Sequence, residues 1–189
     1  FGMLFFGKEP EKFLPQSGIA LHRFEGEDRA SEILENREIN GPIPHLIDTA
    51  IKFIISNTSV KSKISEGDIY RKDTPEYETS IYRELLCNAF QHRDWSIHGQ
   101  KIRVQMFSDR LEIFSPGKLP NTMTLANAIT GNSFYRNPLI SQILRDYGLV
   151  DKMGRGLFKI MKFCKEKKLP KPKFVEDVFS FTVVLYKNI

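Results

Sequence analysis

Residues 101–114 constrain the fold more than any other stretch. Lys101-Ile102-Arg103-Val104-Gln105-Met106-Phe107 alternates polar and apolar side chains strictly. Ser108-Asp109-Arg110 is a tight turn, and Leu111-Glu112-Ile113-Phe114 resumes the alternation up to the break at Ser115-Pro116-Gly117. A period of two places Ile102, Val104 and Met106 on one face, and so short a turn makes the two runs pair as an antiparallel hairpin. One apolar sheet face must be covered, and the flanking sequence supplies helices to cover it. After the break at Gly41-Pro42, Ile43, Leu46, Ile47, Ala50, Ile51, Ile54 and Ile55 keep helical spacing to about Asn57. Glu76 to Arg93 is a second helix, with Ile81, Leu85 and Ala89 at its apolar positions.

The remaining elements follow the same logic. Ile19 to Phe24 reads as a strand ending at Gly26, residues 33–39 are a further strand candidate, and residues 60–73 hold one or two strands. Residues 123–130 and 138–147 are short helices around the polar loop Gly131-Asn132-Ser133, and Gly148 caps the second. Gly154-Arg155-Gly156 opens another helix, with Leu157, Ile160, Met161 and Cys164 on one face and Pro170 and Pro172 as its stop. Phe179 to Leu185 is a closing strand. Helices interleaved with hairpin strands give an α+β sandwich. At 189 residues the chain can bury one core. Residues 1–16, broken by Pro10 and Pro15, read as a connector from an upstream domain, and 17–189 as the folded domain. The opening Phe1-Gly2-Met3 lacks an initiator Met and a signal peptide, so a fragment of a longer protein is expected.

Composition narrows the partners. No apolar run approaches the length that spans a bilayer, so no membrane role is expected. The two cysteines, Cys87 and Cys164, form no CxxC pair, which argues against a disulfide framework or zinc site and suits the reducing cytoplasm. The net charge of +5 is uneven: residues 1–95 carry 12 Lys/Arg against 16 Asp/Glu, and residues 96–189 carry 16 against 7. A basic half suits a phosphate or polyanion site as well as an ordinary solvated surface. Residues 152–173 concentrate the excess, with nine Lys/Arg and the single acid Glu166. Lys159, Lys162 and Lys165 there are candidates for contact with DNA phosphates, although surface solubility explains the same pattern.

Three motifs could carry chemistry. Glu84, Asn88 and His92 recur every four residues and share one row of a helix. Such a row can hold a hydrated Mg²⁺ through the Asn88 oxygen while Glu84 polarises a water; it also describes a plain solvated face. Magnesium suits few protein ligands because substrate phosphates supply the rest. Gly154-Arg155-Gly156 opens a helix, where free N–H groups and the dipole favour phosphate, glycines allow close approach and Arg155 adds charge. The strand end Ser115-Pro116-Gly117 can line a pocket or simply leave the hairpin. His92-Arg93-Asp94 imitates the kinase catalytic triplet, but position 99 is Gly where that pattern needs Asn, and neither a Gly-rich loop nor DFG accompanies it. No G-x-S-x-G elbow points to a hydrolase.

Taken in order, Glu84–Asp94 (E-L-L-x-N-A-x-x-H-R-D), Asp109–Pro120 (D-R-x-E-I-x-S-P-G-x-L-P), Arg136–Leu144 (R-N-P-x-I-x-x-x-L) and Gly154–Leu157 (G-x-G-L) resemble one family. It is the GHKL-like C-terminal domain of RecG-related ATP-dependent DNA helicases, also described as divergent AAA-type or Schlafen/AlbA-type transcriptional regulators. The resemblance implies a Bergerat-type, histidine-kinase ATPase-like two-layer α/β sandwich with a mixed sheet and a short N-terminal strand extension. It implies Mg-ATP as cofactor. Glu84 would stand beside the hydrolytic water, Asn88 would be the Mg²⁺ ligand, and Ser115, Gly117, Gly154, Arg155 and Gly156 would meet the nucleotide. It also implies DNA as the partner of an upstream domain; a homo-oligomer is a separate expectation, tied to the reading of the chain as a regulatory or oligomerisation module.

The chain departs from that pattern where the base is read. Ser115 replaces the Asp that accepts from the adenine amino group, and Leu119 replaces a second Gly. Losing a hydrogen bond to a charged group costs roughly 1.5–3 kcal/mol, a 10- to 150-fold loss of affinity. No G-x-x-x-x-G-K-[ST] P-loop occurs, so a RecA-type motor is excluded from this stretch and the expected activity is at most weak Mg-dependent ATP hydrolysis. The expectation is therefore a nucleotide-binding-like regulatory domain with a degenerate ATP site. The alternative is an oligomerisation or DNA-contacting module that binds no nucleotide.

Overall fold

The computed structural model describes residues 2–58, 60–63, 72–75, 77–119, 123–130, 135–150 and 156–187. Its centre is a six-stranded mixed sheet. The strands are β1 (Ile19–Phe24), β2 (Ile33–Ile39), β5 (Ile102–Met106), β6 (Arg110–Pro116), β7 (Lys173–Asp177) and β8 (Ser180–Tyr186), in the order β2-β1-β5-β6-β8-β7. The expected hairpin is β5–β6, in register from Met106↔Leu111 to Arg103↔Phe114. Among the described strands only β1 and β5 run parallel, and the chain between them carries the crossover. A separate two-stranded ribbon pairs β3 (Val60–Lys63) with β4 (Lys72–Pro75).

Register decides which side chains reach the core. Ile19 and Leu21 pair with Ile102 and Val104, Val104 pairs with Ile113, and Ile113 pairs with Val183. These residues share one face and are all buried. They join one core with α2 (Ile43–Asn57), α3 (Thr79–His92), α5 (Pro138–Asp146) and α6 (Gly156–Glu166). The helical stripe of α2 is the expected one at Ile43, Leu46, Ile47, Ala50 and Ile54, but Phe53 is buried while Ile55 is 45% exposed. The other sheet face is polar at its centre. Glu112 is held there by Arg110 at 2.7 Å and Arg29 at 3.2 Å, and the Arg103 guanidinium lies 3.6 Å from the centre of the Phe114 ring. The result is the α+β, ATPase-like sandwich that the sequence implied.

Some boundaries differ from the sequence reading. Residues 2–6 form a short helix, α1 (Gly2–Phe6), whose Leu4 and Phe5 join the core within the stretch read as a connector. Strand β6 runs on through Ser115 and Pro116, which pair with Phe181 and Ser180 of β8. Beyond Phe114 the β5 ladder has ended, so Pro116 sits on a local edge where its missing N–H costs nothing. Strand β7 had no counterpart in the sequence reading. It is an exposed edge with only Phe174 partly covered, so it lacks the alternation that marks a strand. A five-residue helix, α4 (Leu125–Ile129), begins where the Thr124 side chain accepts from Asn127 N–H. Cys87 and Cys164 are buried free thiols, and burial pushes the Cys87 thiol up to about 12. Among the described residues no helix is long and apolar enough to cross a membrane.

Candidate functional site

Helix α3 is the spine of the site. Its apolar residues Ile81, Leu85, Leu86, Ala89 and Phe90 are buried in the core, which turns the Glu84–Asn88 side of the row toward α6. Asn88 Nδ2–H donates to Glu84 Oε1 at 3.3 Å, which leaves the Asn88 amide oxygen unengaged among the described residues. That oxygen is the atom a hard cation would take. The first residue of α6, Gly156, is buried directly against this pair. A Cβ built on Gly156 would overlap both Glu84 Oε1 and Asn88 Nδ2. With glycine at this position the start of α6 comes this close without moving either side chain. Three residues that the sequence singled out thus meet at one point, from two elements 68 positions apart in the chain at Asn88 and Gly156.

The electrostatics of this point are those of a restrained carboxyl. Burial raises the Glu84 carboxyl above its ordinary value, and the charge of Lys159 and the Asn88 hydrogen bond partly oppose the rise. Lys159, read from sequence as a DNA contact, therefore lies close enough to act on Glu84. Lys162 pairs with Glu166 at 3.7 Å on the exposed side of α6, and Lys165 is exposed. Gly154 and Arg155 lie outside the described residues.

The strand-end residues behave differently. Ser115 is 6% exposed and its hydroxyl donates to the Ala89 carbonyl at 2.8 Å, so it fastens β6 to α3. Gly117 has φ +106°, and a Cβ there would fall 2.7 Å from Asp94 Cβ. Gly117 N–H donates to Phe179 O at 2.7 Å, and Asp94 N–H donates to Pro116 O at 2.8 Å. Gly117 is thus placed by backbone conformation and close packing against Asp94.

Arg93 and Asp94 of the HRD triplet work as a staple. Arg93 is fully buried, donates to the carbonyls of Asp94, Ile97 and Gln100, and stacks 4.6 Å from the Trp95 ring centre. Burial lowers its guanidinium to about 10. Asp94 accepts from Ser96 N–H at 3.0 Å and pairs with Arg136 at 2.9 Å. Burial works against its charge, but these donors and cations together hold its carboxyl below the ordinary value. Asn137 donates to the carbonyls of Gln91 and Arg93 at 3.0 and 2.8 Å, closing the C-terminal end of α3. The signal for Arg93 was its place one residue past a buried helix, where a long side chain can reach unsatisfied carbonyls.

The donor set fits a magnesium nucleotide on one structural count. The glycine cradle at Gly156 lets a helix N-terminus approach the Glu84–Asn88 pair, which suits phosphate beside a hydrated cation. Among the described residues no group of three His, Cys, Asp or Glu could hold a metal alone, so a cation here would rely on phosphate oxygens.

The sandwich is of the ATPase-like class of fold. Residues 99–185 match the family described as "Putative ATP-dependent DNA helicase recG C-terminal", so the RecG-related C-terminal resemblance fits. Ser115, Gly117 and Gly156 fall inside that match, whereas Glu84 and Asn88 precede it. Among solved structures, the DIP2311 protein from Corynebacterium diphtheriae superposes with a TM-score of 0.78 at 23% identity, over 90% of this chain and 34% of that one. That likeness shows the fold, and this chain spans about a third of the other's length. No curated protein matches the sequence.

Proposed function

We propose that this chain is a nucleotide-binding-like regulatory domain of a DNA-binding protein of the RecG-related type. It binds the phosphates of a magnesium nucleotide where α6 meets α3. The observation that carries the reading is the contact of Gly156 with Glu84 and Asn88. A Cβ there would push the tips of both side chains aside, so the glycine keeps the start of α6 in contact with them. Asn88 takes the cation through its amide oxygen. Gly154, Arg155 and Gly156 supply N–H groups and charge to the phosphates, and Glu84 orients a water near them. Bound Mg-ATP would supply the scissile phosphoanhydride. Burial raises the Glu84 carboxyl above its ordinary value, and the expected hydrolysis is at most slow. Ser115 spends its hydroxyl on Ala89, so it offers adenine no carboxylate-like acceptor. DNA is contacted by a separate domain of the full-length protein, and the domain assembles as a homo-oligomer.

Calorimetric titration with Mg-ATP and with Mg-tripolyphosphate tests this. Binding of both in the micromolar range is expected, with loss of both in Gly156→Ala. If neither gives heat at high micromolar concentration, the phosphate reading falls. The second reading, an oligomerisation or DNA-contacting module without nucleotide, is favoured by the buried Ser115–Ala89 bond and would then stand. Duplex DNA affinity that stays flat with salt would remove phosphate contact by Lys159, Lys162 and Lys165.

A further inference from the structure

The row that begins at Glu84 and Asn88 ends at His92, about 6 Å beyond Asn88 along α3. Here two neighbouring side chains each bury a nitrogen that has no hydrogen-bond partner: Nδ1 of His92 and Nε of Arg136. A buried polar group without a partner costs about 1–3 kcal/mol, and Arg93 Nε and Trp95 Nε1, close by in the chain, are in the same position. The other nitrogens of Arg136 are engaged. Nη1 is bonded to Asp94 at 2.9 Å and Nη2 to Lys118 O at 2.7 Å, so the guanidinium is locked with its Nε–H still to donate. The His92 ring lies nearly parallel to the Tyr135 ring, with 9° between planes and 6.4 Å between centres.

The charge around this spot indicates what could fill it. Arg136 is neutralised by Asp94. Burial and the nearby Arg136 charge lower the His92 imidazole to about 4, so it is neutral near pH 7. A locked donor with no net charge suits a neutral acceptor such as a carbonyl oxygen, and the parallel rings suit a flat heterocycle. The spot also adjoins the strand end, since Gly117 packs on Asp94 and Asp94 holds Arg136.

We propose that His92, Tyr135 and Arg136 form the base-recognition end of the nucleotide site, and that this end takes a carbonyl-bearing purine in preference to adenine. The inference rests on the phosphate reading above. With Ser115 tied to Ala89, the base contact passes to Arg136. Adenine presents an amino group at C6, a donor facing the Arg136 donor. Hypoxanthine and guanine present an oxygen there, which the Nε–H satisfies.

The decisive comparison uses the unaltered chain. ITP and ATP differ only at C6 and its neighbouring ring nitrogen, so competitive calorimetry with Mg-ITP, Mg-ATP and Mg-tripolyphosphate isolates the base. Mg-ITP should bind about tenfold tighter than Mg-ATP, the effect of roughly one hydrogen bond. In Tyr135→Ala the affinity for Mg-ITP should fall about fivefold or more while that for tripolyphosphate is unchanged. Equal binding of ITP and ATP, or tighter binding of ATP, with tripolyphosphate still bound, overturns this inference alone. Unchanged ITP affinity in a folded Tyr135→Ala also overturns it. Absence of tripolyphosphate binding overturns the phosphate reading and this inference together.

Discussion

The two ends of α3 are built to opposite standards. At its C-terminal end, Arg93 and Asn137 donate to carbonyl after carbonyl, Asp94 accepts from Ser96 and Arg136, and Gly117 is packed hard against Asp94. In its middle, Glu84 and Asn88 share one bond of 3.3 Å and face a glycine at the start of α6, where a Cβ would push their tips aside. The first arrangement is over-determined and holds the fold. The second holds a half-buried carboxyl by one long hydrogen bond and the nearby charge of Lys159. The difference shows that neighbouring polar residues of one motif can do unrelated jobs. Within E-L-L-x-N-A-x-x-H-R-D, the first two polar residues face α6, and the last two tie down the loop beyond the helix.

Three substitutions would break or sharpen this contrast. The largest effect is expected at the staple. Arg93→Met leaves three carbonyls without their donor and should lower the unfolding free energy by about 4 kcal/mol, read by urea denaturation. A loss below about 1 kcal/mol would mean that the staple is ornamental. Gly117→Ala should cost about 3 kcal/mol by the same measurement, because the new Cβ meets Asp94 in a backbone region unfavourable to L residues. A near-neutral result would show that the strand end can shift away from α3.

The smallest effect, and one of opposite sign, belongs to the middle of α3. Glu84→Gln keeps an acceptor for Asn88 and removes a charge that burial disfavours, so it should raise the melting temperature by a few degrees at neutral pH. The folded carboxyl titrates above its ordinary value of 4.5. Its charged form therefore weakens the fold once pH has risen through the folded value, and the advantage of Gln should vanish at pH values below 4.5. Destabilisation by Glu84→Gln at pH 7 would instead make Glu84 part of the scaffold.

Much of the architecture was legible because it rests on periodicity. The hairpin 101–114 and the α2 stripe follow from side-chain spacing, and both stand where the spacing put them. Edge strand β7 was not legible, because an exposed strand has no buried face to impose alternation. The row of Glu84, Asn88 and His92 could be read from intervals of four, but its partition could not. His92 leaves the row at Tyr135 and Arg136, residues that the chain delivers from a loop more than 40 positions away.

By itself the sequence determined the class of fold, the helix that carries the polar row and the glycine at the head of α6. Local spacing and backbone freedom suffice for those, since each depends on residues within a few turns. Only the tertiary structure decided that Gly156 touches Glu84 and Asn88 and that Ser115 is bonded to Ala89. It also decided that Asn137 closes the end of α3 while Arg93 ties down the loop beyond it, because these pairings are set by how the sheet register and the helical layer bring distant segments together.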